Sequence, residues 1–176
     1  MASKIKVDQI QTGDGTGTIA LQNQLSGMTG VSMPTGSVLQ VVQATSNAQT
    51  ELTATATWTN VNPSATITPT SSSSKIFVLH SAGGMVNCAN GSHSIRLLRG
   101  STEICTHARQ GYTSYATYMP INWDMKFLDS PNTTSATTYL FEIKLQSTGN
   151  LRHNSSSGSG VTNVAGSSTI LMEIAG

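Results

Sequence analysis

Period-two alternation recurs along this chain, and no segment carries a convincing helical period in its place. From Ala136 to Gln146 (ATTYLFEIKLQ) Tyr139, Phe141, Ile143 and Leu145 fall on one face, while Glu142 and Lys144 fall on the other. Successive strand side chains point to opposite sides, so this pattern predicts a half-buried strand. Glu51–Trp58 (ELTATATW) sets Leu52, Ala54, Ala56 and Trp58 against threonines in the same way, and threonine suits a pleated, half-buried surface. Lys75–Ser81 (KIFVLHS) is the most apolar run and reads as a central strand, with His80 a core or edge histidine. Ser168–Ala175 reads as a buried closing strand, and Ser37–Gln43 as an opening one.

Punctuation between these runs sets the connections. Gly100 between Ser92–Arg99 and Ser101–His107 signals a hairpin, with Arg96 and Arg99 on a solvent face. Asn60–Pro63 reads as a break before a short strand at Ala65–Pro69. Pro120 marks a bulge or an edge within Tyr115–Leu128, because proline cannot donate to a ladder. Trp58 and Trp123 are expected in the core. About eight to ten strands with short or Greek-key connections predict an all-β chain, a jelly-roll-like β-sandwich.

The first residues do not belong to that sandwich. Ser3–Leu25 alternates at Ile5, Val7 and Ile10, and again at Ile19 and Leu21, around a Thr12–Gly17 turn. A lone hairpin is marginal in water, so such a segment finds its partners on another chain. Gly27, Gly30, Pro34 and Gly36 then punctuate a hinge. The expected organisation is an extended N-terminal attachment arm and hinge over 1–36 and a head domain over 37–176.

Composition excludes several function classes. Only 10% of the 176 residues are charged and the net charge is +1, which offers no field for a nucleic-acid backbone. No run approaches the roughly twenty apolar residues of a membrane helix, and Met1–Lys4 opens no secretory leader. His80, His93, His107 and His153 form no close metal-binding spacing, and a site joining His93 to Cys105 or His107 across a hairpin has little support. Cys88 and Cys105 read as buried free thiols. No cofactor or metal is expected.

Catalysis finds equally little. Asp124 and Asp129 are the nearest pair of acids, but Asp129 sits in an Asp-Ser-Pro-Asn turn and reads as a cap. No nucleophile elbow is present, so no enzyme is expected. Binding has a better handle in His107–Tyr115, which joins two strands and combines Arg109, Tyr112 and Tyr115. Tyrosine presents a rigid apolar face and a hydroxyl, a pairing suited to sugar or protein recognition. The loops near Arg109 and Asn154 are expected on display at one end of the sandwich.

Several segments in order, KVDQIQT, PTGSVLQVVQ, SSSSKIFVL, IRLLRGST, LDSPNTTSATTYLFEIKLQSTG and the closing STILMEIAG, resemble a family of small virion proteins of tailed bacteriophages. Members are known as tail-fibre or structural proteins, and their knobs resemble the trimeric jelly rolls of the tumour-necrosis-factor and complement type. The resemblance implies a homotrimer, localised to the virion, with the N-terminal arm toward other virion proteins. A tail-fibre knob would contact a host surface glycan or protein through residues such as Arg109, Tyr112 and Tyr115. The alternative it leaves is a capsid or neck decoration with a stabilising role.

Overall fold

The computed structural model describes residues 33–53, 56–87, 91–113, 118–146, 149–155 and 166–176, with backbone alone at 87, 91 and 108–113. Ten strands follow in order: β1 (Val38–Ser46), β2 (Thr50–Leu52), β3 (Thr59–Ile67), β4 (Lys75–Asn87), β5 (Gly91–Arg99), β6 (Thr102–Thr113), β7 (Met119–Asp129), β8 (Thr137–Leu145), β9 (Asn150–His153) and β10 (Ser167–Ile174). They form two antiparallel sheets. One carries β1-β10-β4-β9-β2 with β7 on the other side of β4, and the second runs β3-β8-β5-β6. This is a jelly-roll-like sandwich.

β4 organises the first sheet. Its whole length pairs with β7, from Ile76↔Asp129 to Val86↔Met119. Its other edge is shared, with β10 covering Lys75–Ser81 and β9 covering Gly84–Asn87. Pro120 therefore sits on an edge strand, where its missing donor costs no ladder bond.

The alternation read in Ala136–Gln146 is borne out by burial, and β10 alternates in burial too. β8 buries Thr137, Tyr139, Phe141, Ile143 and Leu145 in strict alternation, and β10 buries Ser167, Thr169, Leu171 and Glu173. Of these, Tyr139, Phe141, Ile143, Leu145 and Leu171 join Val61, Ile67, Ile76, Val78, Ile95, Leu97, Trp123, Met125 and Leu151 in one apolar cluster between the sheets.

Two segments depart from expectation. Asn60–Pro63 does not break a strand: β3 runs through it, with Val61, Pro63, Ala65 and Ile67 all inward. An irregularity between Val61 and Ala65 takes up the register, and the Asn62–Pro63 bond is cis. The Glu51–Trp58 run pairs only as far as Leu52, and Ala56 has φ +62, a left-handed conformation that ends extended structure. Trp58 consequently lies outside the core. It rests half-buried on the outer side of the second sheet, with the Arg96 guanidinium 4.4 Å and the Lys144 ammonium 4.5 Å from its ring centre. Trp123 is in the core as expected, 2% exposed.

Candidate functional site: an apolar sheet face and a histidine-lined distal pole

The strand directions give the sandwich two distinct poles. At the basal pole lie the start of β1, the end of β10, the β3–β4 turn, the Gly100 turn and the end of β7. The chain enters and leaves here: Gly36 donates to the Ala175 carbonyl and Ala175 to the Ser37 carbonyl, both at 2.8 Å. At the distal pole lie the ends of β4, β6 and β8 and the starts of β5, β7 and β9.

The outer faces of the two sheets differ sharply. On the second sheet Arg96 bridges Glu142 and Glu103, Thr66 and Thr138 share a hydrogen bond, and Asn60, Asn62 and Ser64 are exposed. This face is mainly polar, with the Trp58 ring lying on Arg96 and Lys144. On the first sheet the register aligns Val41, Met172, Phe77 and Leu128 in one row across β1, β10, β4 and β7. The row beside it holds Gln43, Ile170, Leu79 and Lys126. Val41 is 57% exposed and Leu128 50%. The centre of this face is apolar and uncharged; Lys75, Lys126 and Asp124 stand exposed beside it.

The distal half of the interior contains three histidines. His80 on β4 stacks on Phe141 with centroids 3.9 Å apart and shares a 2.9 Å hydrogen bond with Thr169. His93 on β5 meets the Trp123 ring edge-on at 5.7 Å, and His153 on β9 stacks beside the same ring at 5.8 Å. Gly84 permits this crowding, because a Cβ there would lie 2.5 Å from the Trp123 ring and 2.3 Å from the Arg152 carbonyl. Burial, and for His80 also the neighbouring His153, lowers the His80 pKa to about 3. Burial alone takes His93 and His153 to about 4. At neutral pH all three rings are uncharged.

The basal half holds the buried carboxylates. Both Asp129 oxygens accept from Arg99 Nη1 (2.9 and 3.0 Å), and Oδ2 also accepts from the Tyr139 hydroxyl (2.7 Å). Asp129 is thus no turn cap, and Arg99 is not simply a solvent-face residue: the two tie β7 of one sheet to β5 and β8 of the other. Glu173 accepts from Gln40 at 2.6 Å and from the Thr70 amide and hydroxyl at 2.7 and 2.8 Å. Burial works to raise this carboxyl, but the donors facing it outweigh burial and hold it below its ordinary pKa.

The residues named from the sequence fall unevenly on this frame. Arg109 and Tyr112 belong to the distal part of β6, Tyr112 opposite Ser92; their side chains, and Tyr115 altogether, lie outside the described residues. So do the arm positions Ile5, Val7, Ile10, Ile19 and Leu21, and Cys88. Cys105 is a free, half-buried thiol. Asn154 is not displayed: it is fully buried, and its amide donates to the Ser46 and Ala48 carbonyls and to Ser167. With φ +56, a conformation asparagine tolerates, it closes the gap between β9 and β10. Asp124 and Asp129 project from opposite faces of β7, so they form no acid pair. Among the described residues no group of three or more His, Cys, Asp or Glu is arranged to hold a metal.

The chain matches no protein-family model and no curated protein. Among solved structures it is similar to a chain of infectious bursal disease virus, Gx strain, at 11% identity and TM-score 0.42, over 78% of this chain and 37% of that one. A VP2 subviral particle of infectious bursal disease virus matches at 15% identity and TM-score 0.34, over 78% and 37%. The Gt strain matches at 15% and 0.32, over 80% and 38%. The chain therefore spans less than two-fifths of these proteins. Its jelly-roll character follows from the strand pairing itself.

Proposed function

We propose that this chain is a virion structural protein, a homotrimeric knob mounted by its N-terminal arm and presenting its distal pole to a host surface. The observation that carries the reading is the uncharged apolar row on the outer face of the first sheet, Val41-Met172-Phe77-Leu128, on a molecule whose other outer face is mainly polar and ion-paired. Contiguous apolar patches of this kind mark interaction surfaces, and copies can cover this row while Lys75, Asp124 and Lys126 stay at its margin. The polarity of the sandwich supports the mounting. Chain entry and exit lie together at the basal pole, so an arm over 1–36 starts from the end opposite Arg109 and Tyr112 in β6. Loops at the far end of a rigid scaffold are where recognition is usually built.

The test is competition. Purified protein added in excess is expected to adsorb to host cells and block infection by the parent virus. Arg109→Ala with Tyr112→Ala should weaken adsorption without altering the fold. Binding to purified capsids with raised heat resistance, and no adsorption to cells, would instead establish a decoration protein and overturn the knob.

A further inference from the structure

We propose that His80, His93 and His153 form an acid-triggered latch, whose protonation parts the two sheets at the distal pole while the basal pole stays closed. The three rings come from β4, β5 and β9, and they meet around Trp123 of β7 and Phe141 of β8. They therefore touch both sheets, and the seam between those sheets in the distal half runs through them. His80 Nε2, both nitrogens of His153 and Trp123 Nε1 are buried and have no hydrogen-bond partner among the described residues. A neutral ring tolerates such a site. An imidazolium has two N–H donors and a full charge, and burying it unpaired is far more costly.

Nothing described around the cluster compensates that charge. The inward neighbours on β4 are Val78, Ala82 and Val86, those on β7 Ile121 and Met125, and those on β8 Ile143 and Leu145. β5 offers Ile95, β9 Leu151, β2 Leu52, β3 Val61 and Ala65, and β10 Thr169 and Leu171. Half-buried Val42 and Ala44 of β1 carry no charge. On β6, His107 and Cys105 lie opposite Ile95 and Leu97. The two inward carboxylates, Asp129 and Glu173, both sit opposite Ile76 at the basal end, and each is engaged there by its own donors. Tyr139 is held by Asp129. Arg152 points to the outer face, where it pairs with Glu51. Protonation of one ring also burdens the next, since His80 and His153 already feel each other. Relief comes when the rings reach water, and the short strands β2 and β9 that cover them are the least extensive pairing in the sheet.

The latch is independent of what the chain is mounted on. Hydrogen exchange followed by mass spectrometry, corrected for intrinsic rates, tests it on the whole protein between about pH 7.5 and about pH 4.5. Expected is a loss of protection of about tenfold or more in residues 82–87, 91–95 and 150–153, with 38–44 and 170–174 nearly unchanged. His153→Gln removes one titrating ring and should cut that loss by about tenfold; where it does not fold, His93→Gln serves the same purpose. Uniform loss along the chain, full protection down to about pH 4.5, or an unaltered response in a folded variant would each overturn the latch.

Discussion

At Asp129 a single carboxylate from one sheet accepts hydrogen bonds from Arg99 and Tyr139 of the other. The carboxylate is 6% exposed and Tyr139 fully buried. Burial first, and then the Asp129 charge, pushes the Tyr139 hydroxyl well above its ordinary pKa, so it remains a donor at any physiological pH. Asp129→Ala strands that hydroxyl and takes the partner from a half-buried guanidinium, a combination that costs about 3 kcal/mol. Adding Tyr139→Phe removes the stranded donor and should recover about 1 kcal/mol. Urea unfolding of the single and double variants measures both. Strictly additive losses would mean that the hydroxyl does not depend on Asp129. Met172 poses the opposite question, since its side chain lies at the centre of the apolar face and not in the core.

Four strands place that face, and the element is the scale at which it is tested. β1, β10, β4 and β7 present Val41, Met172, Phe77 and Leu128 in register, while the edge strand β7 carries exposed Asp124 and Lys126, charges that discourage further strand addition. If copies cover this face, Met172→Glu buries an unpaired carboxylate at each interface and weakens association by about a hundredfold or more. The expected product is a folded monomer, seen as a smaller mass in light scattering with an unchanged circular-dichroism spectrum. An unchanged mass would remove the face from the assembly. The sandwich was legible in the sequence because β8 alternates apolar and polar residues, and the hairpin because Gly100 takes φ +60. β10 reads only as a buried closing strand, and its inward Glu173 with outward Ile170, Met172 and Ile174 was not legible. Trp58 misled because alternation cannot reveal where pairing stops. Ala56, two residues before it, turns left-handed, and the ring is then held by Arg96 and Lys144 from strands far along the chain. The histidine cluster was hidden for a related reason: His80, His93 and His153 lie on three strands, and only the tertiary packing brings His93 and His153 to Trp123 and His80 to Phe141. The paired glycines at Gly83–Gly84 were the available signal, since glycine inside a strand marks a close approach.

The whole molecule divides into a carboxylate-bearing basal half and a histidine-bearing distal half, and both lose stability in acid, at different pH. For each histidine the folded pKa, about 3 for His80 and about 4 for His93 and His153, lies below the unfolded value near 6.5. Above about pH 6.5 neither state binds the proton and stability is unaffected. As the pH falls below that value the unfolded chain takes up protons that the folded chain refuses, so stability drops until the folded rings titrate as well. Each ring on its own would remove about 2 kcal/mol by about pH 5, and the total is limited to the cost of opening the distal pole, because rings released to water titrate normally. Glu173 acts later. Its folded pKa is lowered, so the stability it contributes is complete above the ordinary carboxylate range and vanishes only as the pH falls through the folded value. We therefore expect the urea midpoint to be level above about pH 7 and to fall steeply from about pH 6.5 to about pH 5. The fall should have a histidine onset rather than a carboxylate one. His93→Gln and His153→Gln combined should shrink that upper limb to the share that His80 contributes, while leaving the loss below about pH 4.5 in place. A midpoint that stays level down to about pH 5 would show that the rings reach solvent in the native state, and would sink the two-stage account.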